Sequence, residues 1–446
     1  MDDPTNLMMI SGVLVLDGEV DVELLKKILE RRLINVKRFR QRIAGREAGG
    51  IAWEEVAVDL DSHLLVERLP DPGGDAELRE AVSRLMSQPL DLDRPLWCFH
   101  VLRNYKGGSA LMGRIHHAIG DGIALILVLL SLTDREPDLA LASIDSEDAH
   151  HLNPFTALFT HSRHALSEVR QAAEELMPEA MKLLLKPVEA MQATNRLLKG
   201  VASLDALTRL TFRSSDPATA FRGGLVVSKR AAWSEPIPMG EIRALVEGYG
   251  ATVNDVLLTA MAGGLRRYLA RRGPVAEKLN FRAAVPVNIR PFEKMGELGN
   301  QFGLVFLSLP IGLSDPHARL AELKRRMNAL KRSAEPLVAF QILRALGVVP
   351  RLVQKAVVSL IAKKATVVMT NVPGPRQPIY LAGRKISSIF FWVPQAGRVG
   401  LGISILSYAG DVRLGVGTDA GLVPDPELII EEFQGELGDM LSRVGG

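Results

Sequence analysis

The passage from Ala110 to Leu132 constrains this chain more than any other. Ala110 to Ile115 has the apolar composition of a strand, and Ile123 to Leu132, apolar and free of glycine and proline, has that of a helix. Between them the chain reads Arg114-Ile115-His116-His117-Ala118-Ile119-Gly120-Asp121-Gly122. The local plan is therefore strand, sharp turn, helix. Gly120 and Gly122 permit tight or left-handed backbone on either side of Asp121. Side chains at such a turn leave the backbone and face a cleft. If the chain is still extended at the histidines, His116 and His117 point to opposite faces, so one faces the cleft and the other is tied down internally. We assign the cleft-facing role to His117.

Histidine is the side chain whose ordinary pKa, roughly 6.5, lets it take a proton from a hydroxyl or thiol near neutral pH and return it. That chemistry suits acyl transfer, with the acceptor alcohol itself as nucleophile. No Gly-x-Ser-x-Gly elbow is present. The single cysteine, Cys98, lies between Trp97 and Phe99 in an apolar strand, the setting of a buried, inert thiol. A histidine in a core is more often structural than catalytic; the adjacent pair with its Asp-Gly spacing is what favours chemistry. A metal-dependent hydrolase would use His116, His117 and Asp121 as ligands, but neighbouring histidines in a strand diverge and no HExxH-type spacing accompanies them. We therefore expect no metal.

His-His-x-x-x-Asp-Gly resembles the signature of the coenzyme A-dependent acyltransferase superfamily, to which chloramphenicol acetyltransferase and peptide-synthetase condensation domains belong. Further motifs narrow the resemblance: Asp3-Pro4-Thr5-Asn6-Leu7-Met8, Pro95-Leu96-Trp97, Asn254-Asp255, Val287-Asn288-Ile289-Arg290, Gly299-Asn300-Gln301-Phe302-Gly303 and Thr370-Asn371-Val372-Pro373-Gly374-Pro375. In order and spacing they are similar to the bacterial wax ester synthase/diacylglycerol acyltransferase family over nearly the whole chain. The resemblance implies two α/β domains of chloramphenicol acetyltransferase-like plan, mixed sheets flanked by helices, with the active site at their interface. It implies transfer of a fatty acyl group from acyl-CoA, as co-substrate, to a long-chain alcohol or diacylglycerol, with no bound cofactor. His117 would act as base and His116 and Asp121 would complete the centre. Gly122, Asn254, Asp255, Arg290 and Asn300 would support it, Arg290 as ion-pair partner of Asp121 and Asn300 as an oxyanion donor. The helix dipole alone is a sufficient structural reason for Asp255. The alternatives are a related superfamily transferase using another hydroxyl acceptor or a carrier-bound substrate, and a non-catalytic lipid-droplet coat, which would need no histidine motif.

At 446 residues the chain exceeds one ordinary core. We divide it at 1–136, an N-terminal domain with the histidine motif; 137–221, a helical crossover; and 222–446, a second domain. With 54 basic against 51 acidic residues, the net charge of +3 does not point to nucleic acid. One cysteine fits a reducing cytosol. No basic-then-apolar leader follows Met1, and no run of roughly 18 apolar residues occurs, so membrane or lipid-droplet contact would be peripheral.

Strands are expected at 7–16, 52–58, 224–233, 281–287, 302–309 and 366–371, and an antiparallel sheet from 386–393, 401–408 and 412–418. Helices are expected at 21–33, capped by Asp21, and at 76–87, 239–249, 253–269, capped by Thr252, and 426–444. Lys37, Arg38, Arg40 and Arg42 form a basic patch, either a solvated turn or a landing site for anionic phosphates; Lys363 and Lys364 pose the same choice. Trp97 either packs the core or lines a substrate tunnel. Within the crossover, 180–185 and 197–210 either pack on the domains or lie on a lipid surface, with Lys182, Lys186, Arg196 and Lys199 near head groups.

Overall fold

The computed structural model describes residues 3–45, 51–137, 214–288, 302–332, 362–395 and 398–444. The first part of the chain runs β1 (Met9–Leu16), α1 (Val22–Ile28), β2 (Gln41–Gly45), β3 (Ile51–Glu55), β4 (Leu64–Arg68), α2 (Asp75–Met86), β5 (Trp97–Tyr105), β6 (Gly108–His116) and α3 (Gly122–Ser131). After the crossover come β7 (Lys229–Trp233), β8 (Ile237–Pro238), α4 (Met239–Tyr249), α5 (Val253–Ala270), β9 (Phe281–Asn288), β10 (Phe302–Leu309) and α6 (Pro316–Lys331). The chain closes with β11 (Val367–Pro373), β12 (Tyr380–Leu381), β13 (Arg384–Trp392), β14 (Leu401–Tyr408), β15 (Asp411–Asp419) and α7 (Pro426–Val444).

Local chemistry sets the helix ends. Asp21 accepts the N–H groups of Glu23 and Leu24 at 2.9 and 3.1 Å, and a π-helical turn, Leu29–Leu33, continues α1. Asp315 accepts Ala318 N–H at 2.9 Å ahead of Pro316 in α6. Helix α4 stops at Gly250, whose φ of 55° is the left-handed geometry of a helix C-terminus.

Two mixed sheets organise the chain. The first has the order β12-β13-β1-β6-β5-β4, antiparallel except for the β4–β5 pair; the second runs β10-β9-β11-β14-β15-β7, with β11 parallel to both neighbours. Sheet membership does not follow chain order. Strands β12 and β13, late in the chain, complete the first sheet, and β13 pairs with β1 from Ser11↔Trp392 to Leu16↔Ile386. The expected three-stranded antiparallel sheet is therefore corrected: β14 and β15 do pair antiparallel, but β13 leaves them for β1. Its burial explains the difference. Ile386, Phe390 and Trp392 are buried while Arg384, Lys385 and Ser387 are exposed, whereas β14 is buried almost throughout. Alternation identifies a strand but not its partner.

The larger core lies between α4–α7 and the second sheet, where Val256, Met261, Leu265, Phe281, Ile403 and Phe433 are buried. A second apolar cluster joins Trp97, Phe99, Ile115 and Ile119 of the first sheet and turn to Leu125 and Val128 of α3 and to Leu406 and Tyr408 of β14. The helix after the histidine turn and β14 of the second sheet thus share one apolar cluster. Among the described residues no helix is long and apolar enough to cross a membrane. The crossover stretches 180–185 and 197–210 lie outside the described residues.

Candidate active site

Strand β6 ends at His116, residues 117–119 form a turn, and α3 starts at Gly122, which is the plan read from the sequence. Neighbouring strands hold the backbone of both histidines. His116 N–H donates to Leu96 O at 2.9 Å, and His117 N–H donates to Met8 O at 2.7 Å. The Pro95-Leu96-Trp97 and N-terminal motifs therefore serve the histidine turn through their carbonyls. Trp97 itself is a core residue, 1% exposed, with its Nε1–H donating to Phe39 O at 2.9 Å and its ring stacked on His63 at 4.2 Å between centroids.

The His116 imidazole takes part in the hydrogen bonding of the turn itself. Ala118 N–H donates to His116 Nδ1 at 3.0 Å, so this imidazole closes the turn on itself, with Nδ1 as the acceptor. His117 is one residue further into the turn, and both histidines are half-buried. Asp121 is 6% exposed and directly precedes α3; its carbonyl accepts Leu125 N–H at 3.0 Å, the first bond of that helix. Its carboxylate thus belongs to the residue at the positive end of the helix dipole. Gly122 opens α3 with nothing within 4 Å of the position a Cβ would take, so the glycine is not required by crowding.

Asn254 and Asp255 sit in the first turn of α5 with separate duties. Asp255 Oδ2 accepts the Thr252 hydroxyl at 2.8 Å and Thr252 N–H at 3.1 Å, while Thr252 Oγ1 accepts Asp255 N–H at 3.2 Å. This reciprocal cap makes Asp255 a structural residue. Asn254 Oδ1 accepts Asn371 Nδ2 at 3.3 Å, joining the helix start to β11 within the Thr370–Pro375 motif. Arg290 and Asn300 lie outside the described residues.

The surrounding titratable groups are buried and quiet. Burial pushes the Cys98 thiol up to about 11, in keeping with an inert cysteine. His100 is 3% exposed, and burial, then the nearby Arg114 cation, lower its pKa to about 4 despite its 3.1 Å contact with Glu67. Arg114, two residues before His116, is 4% exposed and donates to Gln88 O. An arginine inside the otherwise apolar run Ala110–Ile115 was the sequence signal for it.

Three of the basic residues at 37–42 are engaged locally. Arg40 pairs with Glu55 and Arg42 with Glu54, each at 2.9 Å, and the Arg38 guanidinium lies 4.1 Å from the Trp53 ring centroid. Lys363 is exposed and Lys364 buried. A surface cleft of about 490 Å³ lined by Glu277, Asn280, Glu322, Arg325 and Arg326 includes no histidine.

The model of the wax ester synthase/diacylglycerol acyltransferase catalytic domain matches residues 1–257, and that of the C-terminal domain of the same family matches residues 298–441. A Mycobacterium tuberculosis protein named probable diacylglycerol O-acyltransferase is 26% identical over 438 residues, spanning 93% of this chain and 87% of its own. The solved wax ester synthase/diacylglycerol acyltransferase from Marinobacter aquaeolei VT8 superposes with a TM-score of 0.68 at 22% identity, covering 100% of this chain and 97% of that one. The first condensation domain of the calcium-dependent antibiotic synthetase gives 0.62 at 16% identity, covering 99% and 92%. The expected chloramphenicol acetyltransferase-like plan, two α/β units with mixed sheets, is the fold these structures share.

Proposed function

This chain belongs to the wax ester synthase/diacylglycerol acyltransferase family, and on that premise we propose that it moves a fatty acyl group from acyl-CoA to the hydroxyl of a long-chain alcohol or a diacylglycerol. His117 is the general base. It takes the hydroxyl proton as the acceptor oxygen attacks the thioester carbonyl carbon; the tetrahedral oxyanion collapses, the carbon–sulfur bond breaks, and the departing thiolate takes the proton from His117. Ester and free coenzyme A are the products, so atoms and charges balance with no acyl-enzyme and no metal in the scheme.

The observation that carries this reading is how the histidine turn is held. His116 Nδ1 is engaged within the turn by Ala118 N–H, and both histidines are half-buried with their backbones held by adjoining strand ends; of the two, His117 is the one we assign as base. A base fixed at its backbone is placed before substrate arrives, and a well-oriented attack of this kind removes much of the entropic barrier. Asp121 acts on the turn, and Arg290 is its proposed ion-pair partner. Asn254 and Asn371 fix α5 against β11, and Asn300 is the proposed oxyanion donor. Both substrates carry long apolar chains, so on this reading the enzyme is a peripheral protein at the cytoplasmic surface of the membrane or at lipid droplets, in lipid storage.

The test is release of coenzyme A from palmitoyl-CoA with hexadecanol or dipalmitoylglycerol, with the ester product identified. Release dependent on either acceptor establishes the reading, and the ratio of the two rates assigns the acceptor. Folded protein inactive with both would refute these acceptors and direct the screen to other hydroxyl or carrier-bound substrates.

A further inference from the structure

A buried ion pair in the second sheet sits at the start of a short path to the histidine turn. Lys229 in β7 is 8% exposed and Asp419 in β15 is 0% exposed. The three donor positions of the Lys229 ammonium meet three acceptors: Asp419 Oδ2 at 2.7 Å, Val226 O at 2.9 Å and Thr5 O at 2.6 Å. The first two belong to the second sheet and its approach. The third belongs to the N-terminal segment, three residues before Met8, whose carbonyl accepts His117 N–H at 2.7 Å.

That segment is itself a folded turn. Thr5 N–H and Oγ1–H both donate to Asp3 Oδ1, at 2.9 and 2.6 Å, Asn6 N–H donates to Asp3 O at 2.7 Å, and Asn6 is 5% exposed. A second connection runs alongside. Lys229 N–H donates to Ser87 Oγ at the end of α2, and the next carbonyl, Gln88 O, accepts from Arg114, whose Nη2 also lies 3.7 Å from Met9 Sδ. Met9 is the register partner of His116.

Burying a lysine is costly unless every donor is satisfied, and here the third acceptor comes from the N-terminal segment rather than from the second sheet and its approach. Resting on the reading of His117 as base, we infer that Lys229 is a positioning residue. Through Thr5 and the segment 5–8 it ties the second sheet to the backbone of His117 and so sets where the base stands.

Two perturbations approach this clasp from opposite ends. Deleting residues 2–6 removes the Thr5 carbonyl and leaves the Lys229–Asp419 pair intact; Lys229→Met with Asp419→Asn removes the charges together, so no lone buried charge remains. Each is compared with the parent and with Arg230→Gln, an exposed neighbour, for thermal midpoint and for the pH profile of kcat and KM in acceptor-dependent coenzyme A release. For the deletion the expected result is a lower thermal midpoint, since the third donor of Lys229 loses its acceptor, with kcat per folded molecule lowered by up to about 100-fold, the order that a displacement of ~1 Å costs an oriented reaction. The acid limb of the pH profile should shift and KM for acyl-CoA should change little. The double variant should lower kcat per folded molecule in the same way. A deletion variant that keeps the parent's kcat and pH profile would overturn the inference. His117→Ala, run in parallel, separates the two levels: if it retains activity, the assignment of the base fails, and if it alone loses activity, only the clasp fails.

Discussion

Replacing His116 separates structure from chemistry in the histidine turn. His116 Nδ1 accepts Ala118 N–H at 3.0 Å. His116→Asn keeps an acceptor, Oδ1, at nearly the same reach from the backbone, while His116→Ala removes it. The net contribution of such a bond is about 0.5–1.5 kcal/mol. If its loss falls wholly on the placement of His117 in the transition state, His116→Ala lowers kcat/KM about 2- to 13-fold, since about 1.4 kcal/mol is a factor of ten. His116→Asn should stay within about 2-fold of the parent, the lower end of that hydrogen-bond range. His117→Ala removes the base itself, for which the loss is about 10²–10⁴-fold. The assay is steady-state coenzyme A release with acyl-CoA and alcohol, normalised to folded protein. If His116→Asn were as inactive as His117→Ala, His116 would take part in proton transfer and the division of roles between the two residues would be wrong.

Three further outcomes follow from groups outside the turn. His100 is neutral in the folded protein down to about pH 4. Unfolded, it protonates near 6.5, so as pH falls from about 6.5 to 4 only the unfolded state gains this proton; stability declines by about 3 kcal/mol at most over that window and by no more below it. Urea melts of His100→Asn should therefore show an acid slope smaller by up to one proton. A Cβ on Gly263 would stand 2.3 Å from both Arg319 Nη1 and Glu436 Cδ, a buried ion pair, so Gly263→Ala should cost about 3 kcal/mol or more in a urea melt. Asp255→Ala opens the cap on Thr252 and should lower stability by about 1–2 kcal/mol, while kcat per folded molecule stays within about 3-fold, less than half the ~1.4 kcal/mol of a tenfold change.

Much of this was legible in the residues because the relevant physics is local. The apolar runs on either side of His116-His117, the caps at Asp21 and Thr252, and helices α4 and α7 depend on periodicity and on residues within one turn. Long-range pairing was not legible. Nothing in the sequence of β13 says that its partner is β1, more than 360 positions earlier, and nothing near Asn254 announces Asn371. Asp255 illustrates a motif read for proximity to chemistry whose side chain is taken up in a helix cap. Lys229 escaped notice because one lysine at the start of an apolar strand looks like a solvated end until three acceptors are seen around it.

Direct attack by the alcohol, with His117 as base and no acyl-enzyme, is tested most directly by mixing the protein with palmitoyl-CoA alone and following free coenzyme A before the steady state, with the intact protein mass read in parallel. The account predicts no burst, an unchanged mass, and release only once alcohol is added. A burst equal to the enzyme concentration, with the protein heavier by one palmitoyl group, would contradict it.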